Sequence, residues 1–113
     1  MKALSLRQPW VWAVVHGGKR VENRTAWKNS HYRGPLLIQY DDACSFIWGG
    51  EERLCNHPPP IEDLIRGALV ATCNVVDVIA NGSAKDVVRR QVGDEQARWW
   101  MGAFALVLDG VKA

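Results

Sequence analysis

The sequence predicts a small mixed α/β barrel of about five strands with short helices. Three observations lead there: short period-two runs recur along the chain, a proline-led, glycine-stopped helix interrupts the first two, and 113 residues leave room for one core. The run KALSL alternates apolar and polar residues and reads as the first strand. In RQPWVWAVVHGG the period changes. Pro9 suits a first helical turn and Gly17–Gly18 supply the stop, so a helix is expected from Pro9 to His16. Trp10, Val11, Val14 and Val15 should share one side of it, and Trp12 and His16 another. KRVENR then returns to period two, with Lys19, Val21 and Asn23 on one side and Arg20, Glu22 and Arg24 on the other.

RGPLLIQY is the next strand, reached through a polar loop carrying Trp27 and Tyr32. Asp41 to Leu54 mixes a helical pattern with Gly49–Gly50, and a helix-rich excursion ended by NHPPP is expected. GALVATCNVVDVIA, β-branched and the longest apolar stretch, should be the central strand. SAKDVVRRQV should be helical with Ser83 as N-cap, and GAFALVLDGV should close the fold as a strand.

The formal charge is only +2, so any attraction for nucleic acid must come from a local patch, which Lys19, Arg20, Arg24, Lys28 and Arg33 can supply. No stretch approaches a membrane span and the N-terminus lacks a signal pattern, so a cytoplasmic protein is expected, with no membrane partner. Three cysteines without a C-x-x-C pair argue for reduced thiols, with Cys73 in the core. The sequence Cys55-Asn56-His57 is too incomplete to make a metal site. No metal and no cofactor are expected.

The densest chemistry lies in HGGKRVENRTAW, where Lys19, Arg20, Glu22, Asn23 and Arg24 fall within six residues. Spacing alone allows a solvated, salt-bridged strand face. The same residue types also suit nucleotide recognition. Lysine and arginine can hold a phosphate or a base oxygen, a glutamate can accept from a base amino group, and nearby tryptophans can stack. Strict alternation would put Lys19 opposite Glu22 and Arg24, so a common site needs a bulge or twist after Gly18, which glycine permits.

The stretch LSLRQPWVWAVVHGGKRVENRTAW, with YRGPLLI and GALVATCNVVDV, resembles the ASCH family, a branch of the PUA-like barrels. The likeness rests on the QPW helix start, the G-x-K-x-x-E-x-R pattern at Gly17, Lys19, Glu22 and Arg24, and Trp27. Arg33-Gly34 and the strand from Gly67 to Asp77 complete it. It implies a PUA-like pseudo-β-barrel of mixed α+β class, with about five or six strands, short flanking helices and a single domain over residues 1–113. It also implies a cleft between the first helix and the barrel that takes RNA, single-stranded DNA or a modified nucleoside. The expected binding residues are Gln8, Trp10, Lys19, Glu22, Arg24, Trp27 and Arg33.

Some small ASCH relatives are amidohydrolases acting on N4-acylcytidine, and others have been described as ribonucleases. A hydrolase reading would make Lys19 and Glu22 catalytic. The sequence departs from the amidohydrolase pattern, which has threonine where this chain has Glu22 and a glutamate near Thr72 or Asn74. Thr25 lies close by but is aimed away by alternation. A third reading, a protein-interaction adaptor, follows from ASCH domains in coregulator proteins. Many ASCH sequences add a strand after the region matching FALVLDGV, so the barrel is expected to lack a closing strand. An exposed edge there could pair with a second copy to give a homodimer.

Overall fold

The computed structural model describes residues 2–6, 10–24, 32–40, 69–102 and 104–113. Their elements run β1 (Lys2–Leu6), α1 (Trp10–Val15), β2 (Val21–Asn23), β3 (Gly34–Tyr40), β4 (Leu69–Ile79), α2 (Lys85–Val92), α3 (Asp94–Ala97) and β5 (Ala105–Lys112). The five strands form one sheet in the order β1-β3-β4-β5-β2, with β1 parallel to β3 and the other pairs antiparallel. The long apolar run is therefore the middle strand, as its composition predicts. The sheet curls into a half-barrel, and the arrangement is the mixed α+β class expected of a PUA-like pseudo-barrel.

Alternation places the core. Leu4 and Leu6 of β1, Leu36 and Ile38 of β3, and Ala71, Cys73 and Val75 of β4 are buried, while their neighbours Ser5, Pro35, Thr72 and Asn74 are exposed. With Val11 and Val14 of α1 and Leu106 and Leu108 of β5 they make the inner cluster. Register shifts between Thr72 and Asn74 and between Val75 and Asp77 break the β4–β5 ladder. Such irregularities bend a strand and strengthen its twist. Beyond them a second cluster gathers Ala13, Val21, Ile79, Val88, Trp99 and Ala105 beneath α2 and α3. Among the described residues, no helix is long and apolar enough to cross a membrane.

Four expectations change. The α1 helix begins at Trp10 and ends at Val15; His16 is in the turn that follows, and Pro9 lies outside the described residues. Trp10 packs with Trp12 against the second cluster rather than with Val11 and Val14, although Trp12 and His16 do meet at 6.1 Å between ring centroids. Ser83 is not an N-cap: its hydroxyl donates to Ala80 O at 2.7 Å, closing a turn, and Ala84 occupies the cap position without a side-chain bond. Finally, β5 is not an edge strand, because β4 and β2 flank it. The edge that was expected to support a homodimer is occupied along Ala105–Val107 by β2 of the same chain. The expected excursion from Asp41 to Leu54 lies outside the described residues.

Candidate nucleotide-binding cleft

Lys19 is placed by the end of α1. Gly18 adopts φ +77°, a left-handed conformation that glycine takes without a Cβ penalty. The chain turns back there, and Lys19 N–H donates to Ala13 O at 3.0 Å. The Arg20 guanidinium folds under the helix end, its Nη1 donating to Val14 O at 2.7 Å and Lys19 O at 2.9 Å. Arg20 thereby supplies a donor to Val14 O, one of the last carbonyls of α1, which have no partner within the helix.

A second clasp comes from far along the chain. Gln96 Nε2 donates to Gly18 O at 2.8 Å, and Gln96 Oε1 accepts from Arg20 N–H at 2.8 Å, so one amide brackets Lys19 on both sides. Asn23 answers in kind. Its Nδ2 donates to Trp99 O at 2.8 Å and its Oδ1 accepts from Met101 N–H at 2.9 Å. The two reciprocal brackets lock β2 and its approach to α3 and the segment after it. Gln96 and Trp99 are the residues that sequence reasoning missed. Each contacts a residue more than seventy positions earlier, so no local spacing could have revealed the arrangement.

On β2, Glu22 stands opposite Leu106, and Val21 and Asn23 stand opposite Val107 and Ala105. Cross-strand partners share a face, so Glu22 points with Leu106 toward the inner cluster, to which Leu106 belongs. The ladder extends past the three-residue strand through Arg20 O, which accepts from Leu108 N–H, and Arg24 N–H, which donates to Phe104 O. Lys19 lies outside this ladder, freed from strict alternation by the turn at Gly18. Its ammonium meets the Glu22 carboxylate at 2.9 Å, with the two side chains 4% and 6% exposed. Its Nζ lies 4.9 Å from the Trp10 ring centroid and 5.8 Å from that of Trp99. This enclosed pair is not a solvated face.

Arg24 is half-buried and reaches across to β1, its Nη1 lying 3.5 Å from Ser5 O. That contact links the two edge strands of the curled sheet. Arg33 is drawn elsewhere: its guanidinium pairs with Asp77 at 3.5 Å on half-exposed side chains. Asp77 also accepts from Val78 N–H and from Gln91 Nε2, each at 2.8 Å, so the Arg33-Gly34 pair and the end of β4 are joined structurally. The structure thus brings together Trp10, Lys19 and Glu22, sets Arg24 directly after β2, and ties Arg33 to Asp77. Gln8 and Trp27 lie outside the described residues.

Burial pushes the Cys73 thiol up to about 11, against a smaller opposing influence of the Arg20 charge, so it is a core group rather than a nucleophile. Among the described residues no cluster of histidine, cysteine, aspartate or glutamate could hold a metal.

No match was found among curated proteins. The ASCH domain profile matches residues 4–111, nearly the whole chain, and this is a family associated with nucleic-acid binding. The Gly18 turn, the Lys19–Glu22 spacing and the Arg33–Asp77 tie all fall within that match, and the chain belongs to the ASCH domain family.

Proposed function

We propose that Trp10, Lys19, Glu22 and Arg24 form a cleft that binds one nucleotide of RNA or single-stranded DNA. The carrying observation is the Lys19–Glu22 pair, buried at 2.9 Å and faced by Trp10 and Trp99. Burying two charges costs several kcal/mol per ion, and a buried pair is weak evidence for stability on its own account. A site that recognises a base, by contrast, needs a donor and an acceptor side by side in a water-poor setting. Lys19 can donate to a base carbonyl and Glu22 can accept from an adjacent amino group, while a half-buried Trp10 supplies an aromatic wall. Arg24, less enclosed, suits the attached phosphate. The brackets by Gln96 and Asn23 hold these groups in register before a ligand arrives, which lowers the ordering cost of binding.

The test is a titration of trinucleotides of RNA and DNA against wild type and Lys19→Met/Glu22→Leu, in which no buried charge is left unpaired, beside an assay for N4-acetylcytidine cleavage. Saturable binding that the double substitution weakens at least tenfold, without turnover, supports a binding module. Lysine-dependent turnover would instead establish a hydrolase. If neither binding nor turnover is seen in wild type, the proposal fails.

A further inference from the structure

A second basic surface lies outside the cleft. Between α2 and α3 runs a groove of about 550 Å3 whose walls carry Lys85, Arg89 and Arg98, with Asp94 as its one carboxylate and Trp100 at one side. Val88, fully buried, anchors its floor. The lining carries three cations against one carboxylate, and Glu95, which pairs with Arg98, leaves the local balance positive by one. Lys85 and Arg89 are exposed and have no carboxylate partner among the described residues, whereas Arg90 on the same helix is paired with Asp86. Arg98 reaches Glu95 at 3.8 Å through exposed side chains, a contact that a stronger anion can displace.

The groove is joined to the cleft by two consecutive tryptophans. Trp99 faces the Lys19 ammonium and Trp100 lines the groove, while Asn23 fixes the backbone on both sides of Trp100. We infer that the α2–α3 groove takes the backbone phosphates of a single-stranded nucleic acid leaving the cleft, with one base against Trp100. The inference rests on the nucleotide reading of the cleft but concerns residues that the reading does not use. Single strands are held by this combination, cations tracking phosphates and aromatic rings stacking on bases. An acidic polypeptide would satisfy the cations but make no use of the ring.

The experiment compares a trinucleotide with a 12-nucleotide single strand by fluorescence anisotropy over a range of salt. In Lys85→Gln/Arg89→Gln, both exposed positions, trinucleotide affinity should stay as in wild type. The 12-mer should weaken about tenfold or more, and its log–log salt slope should become shallower by about 1.4, since each phosphate that is no longer neutralised takes roughly 0.7 from the slope. Trp100→Leu should weaken the 12-mer by about tenfold, as removal of one stacked base predicts. Unchanged 12-mer affinity and slope in the double variant would overturn the groove while leaving the cleft standing. If Lys19→Met/Glu22→Leu abolishes trinucleotide binding without affecting the 12-mer, the strand in the groove does not come from the cleft and the inference of one continuous strand is overturned; 12-mer affinity lowered by this variant and by the groove variant supports it. A trinucleotide that never binds beside a 12-mer held by Lys85 and Arg89 would sink the cleft and keep the groove. Polyglutamate competing as strongly as the 12-mer, with no effect of Trp100→Leu, would overturn the nucleic-acid assignment. Absence of any binding would overturn both.

Discussion

Removing one partner of the Lys19–Glu22 pair should destabilise the fold severely, and removing both should not. At 2.9 Å and 4% and 6% exposure the pair is shielded from solvent, the setting in which leaving one charge unpaired costs about 3–5 kcal/mol. Lys19→Met strands a carboxylate whose one partner among the described residues is Lys19, and it also removes the ammonium from Trp10 and Trp99. Glu22→Leu leaves the ammonium facing the two rings, and cation–π attraction of a desolvated ammonium is worth about 2 kcal/mol. The lysine variant should therefore lose more stability than the glutamate variant, by about 1–2 kcal/mol. Against a total of roughly 5–15 kcal/mol for a domain, either loss is large. Lys19→Met/Glu22→Leu removes both charges and should come within about 1 kcal/mol of wild type, or exceed it, since apolar replacement of a buried pair is often neutral or stabilising. Urea unfolding followed by tryptophan fluorescence reads all four proteins, with a constant m-value as the check on two-state behaviour. The refuting result is additivity. If the double variant loses the sum of the single costs, water screens the two charges and the pair is not the enclosed donor–acceptor couple on which the nucleotide reading depends. If the reasoning holds, the double variant is folded yet does not bind trinucleotides.

Gln96→Ala removes both bonds that bracket Lys19 and should cost about 1–3 kcal/mol by leaving backbone groups unsatisfied, with faster hydrogen exchange at the Arg20 amide as its local signature. Gly18→Ala meets no atom within 4 Å but must adopt φ +77°, so it should lose about 1 kcal/mol through conformation alone, measurable as a shift in the urea midpoint. Gly34→Ala should cost more, because φ is +133° and the new methyl would lie 3.3 Å from the Tyr32 hydroxyl. For Cys73, the folded thiol is raised from 9.0 to about 11, so the native state keeps its proton more tightly than the unfolded chain. The stability this contributes is complete below pH 9 and falls as pH rises through 9 toward 11. Alkylation of the Cys73 peptide, followed by mass spectrometry, should accordingly be far slower in the native protein than in urea.

How much of this was legible in the sequence depends on the range over which each feature is determined. The strand assignments rest on period-two patterns within a few residues, and Leu4/Leu6, Leu36/Ile38 and Ala71/Cys73/Val75 are buried as that period requires. Trp10 departed from the expected helix face because packing overrode the local wheel: a second cluster beneath α2 and α3 offered Trp99, Val88 and Ile79 as neighbours, and no pattern in residues 9–16 encodes that. Ser83 has the composition of a cap, but the helix starts one residue later with Ala84 at the cap position, and the Ser83 hydroxyl instead donates to Ala80 O to close a turn. The edge at β5 was misjudged because strand order is a long-range property, and β2, only three residues long, closes on it from more than eighty positions away.

The site divides along the same line. Lys19 and Glu22 are three apart, and the glycine that lets them meet is adjacent, so their pairing follows from the sequence once the twist at Gly18 is allowed. What the sequence could not show is why the pair persists in a buried place. The turn at Gly18 determines only a direction; without Gln96 the Gly18 carbonyl and the Arg20 amide on either side of Lys19 would lose their side-chain partner. The brackets are supplied by the segment that also delivers Trp99 to the ammonium and Trp100 to the groove. Changes at Gln96 should therefore alter the cleft and the groove together, while changes at Lys85 and Arg89 should alter the groove alone. A Gln96→Ala protein that lost trinucleotide affinity but retained the full salt slope for a 12-mer would show that the two surfaces are positioned independently.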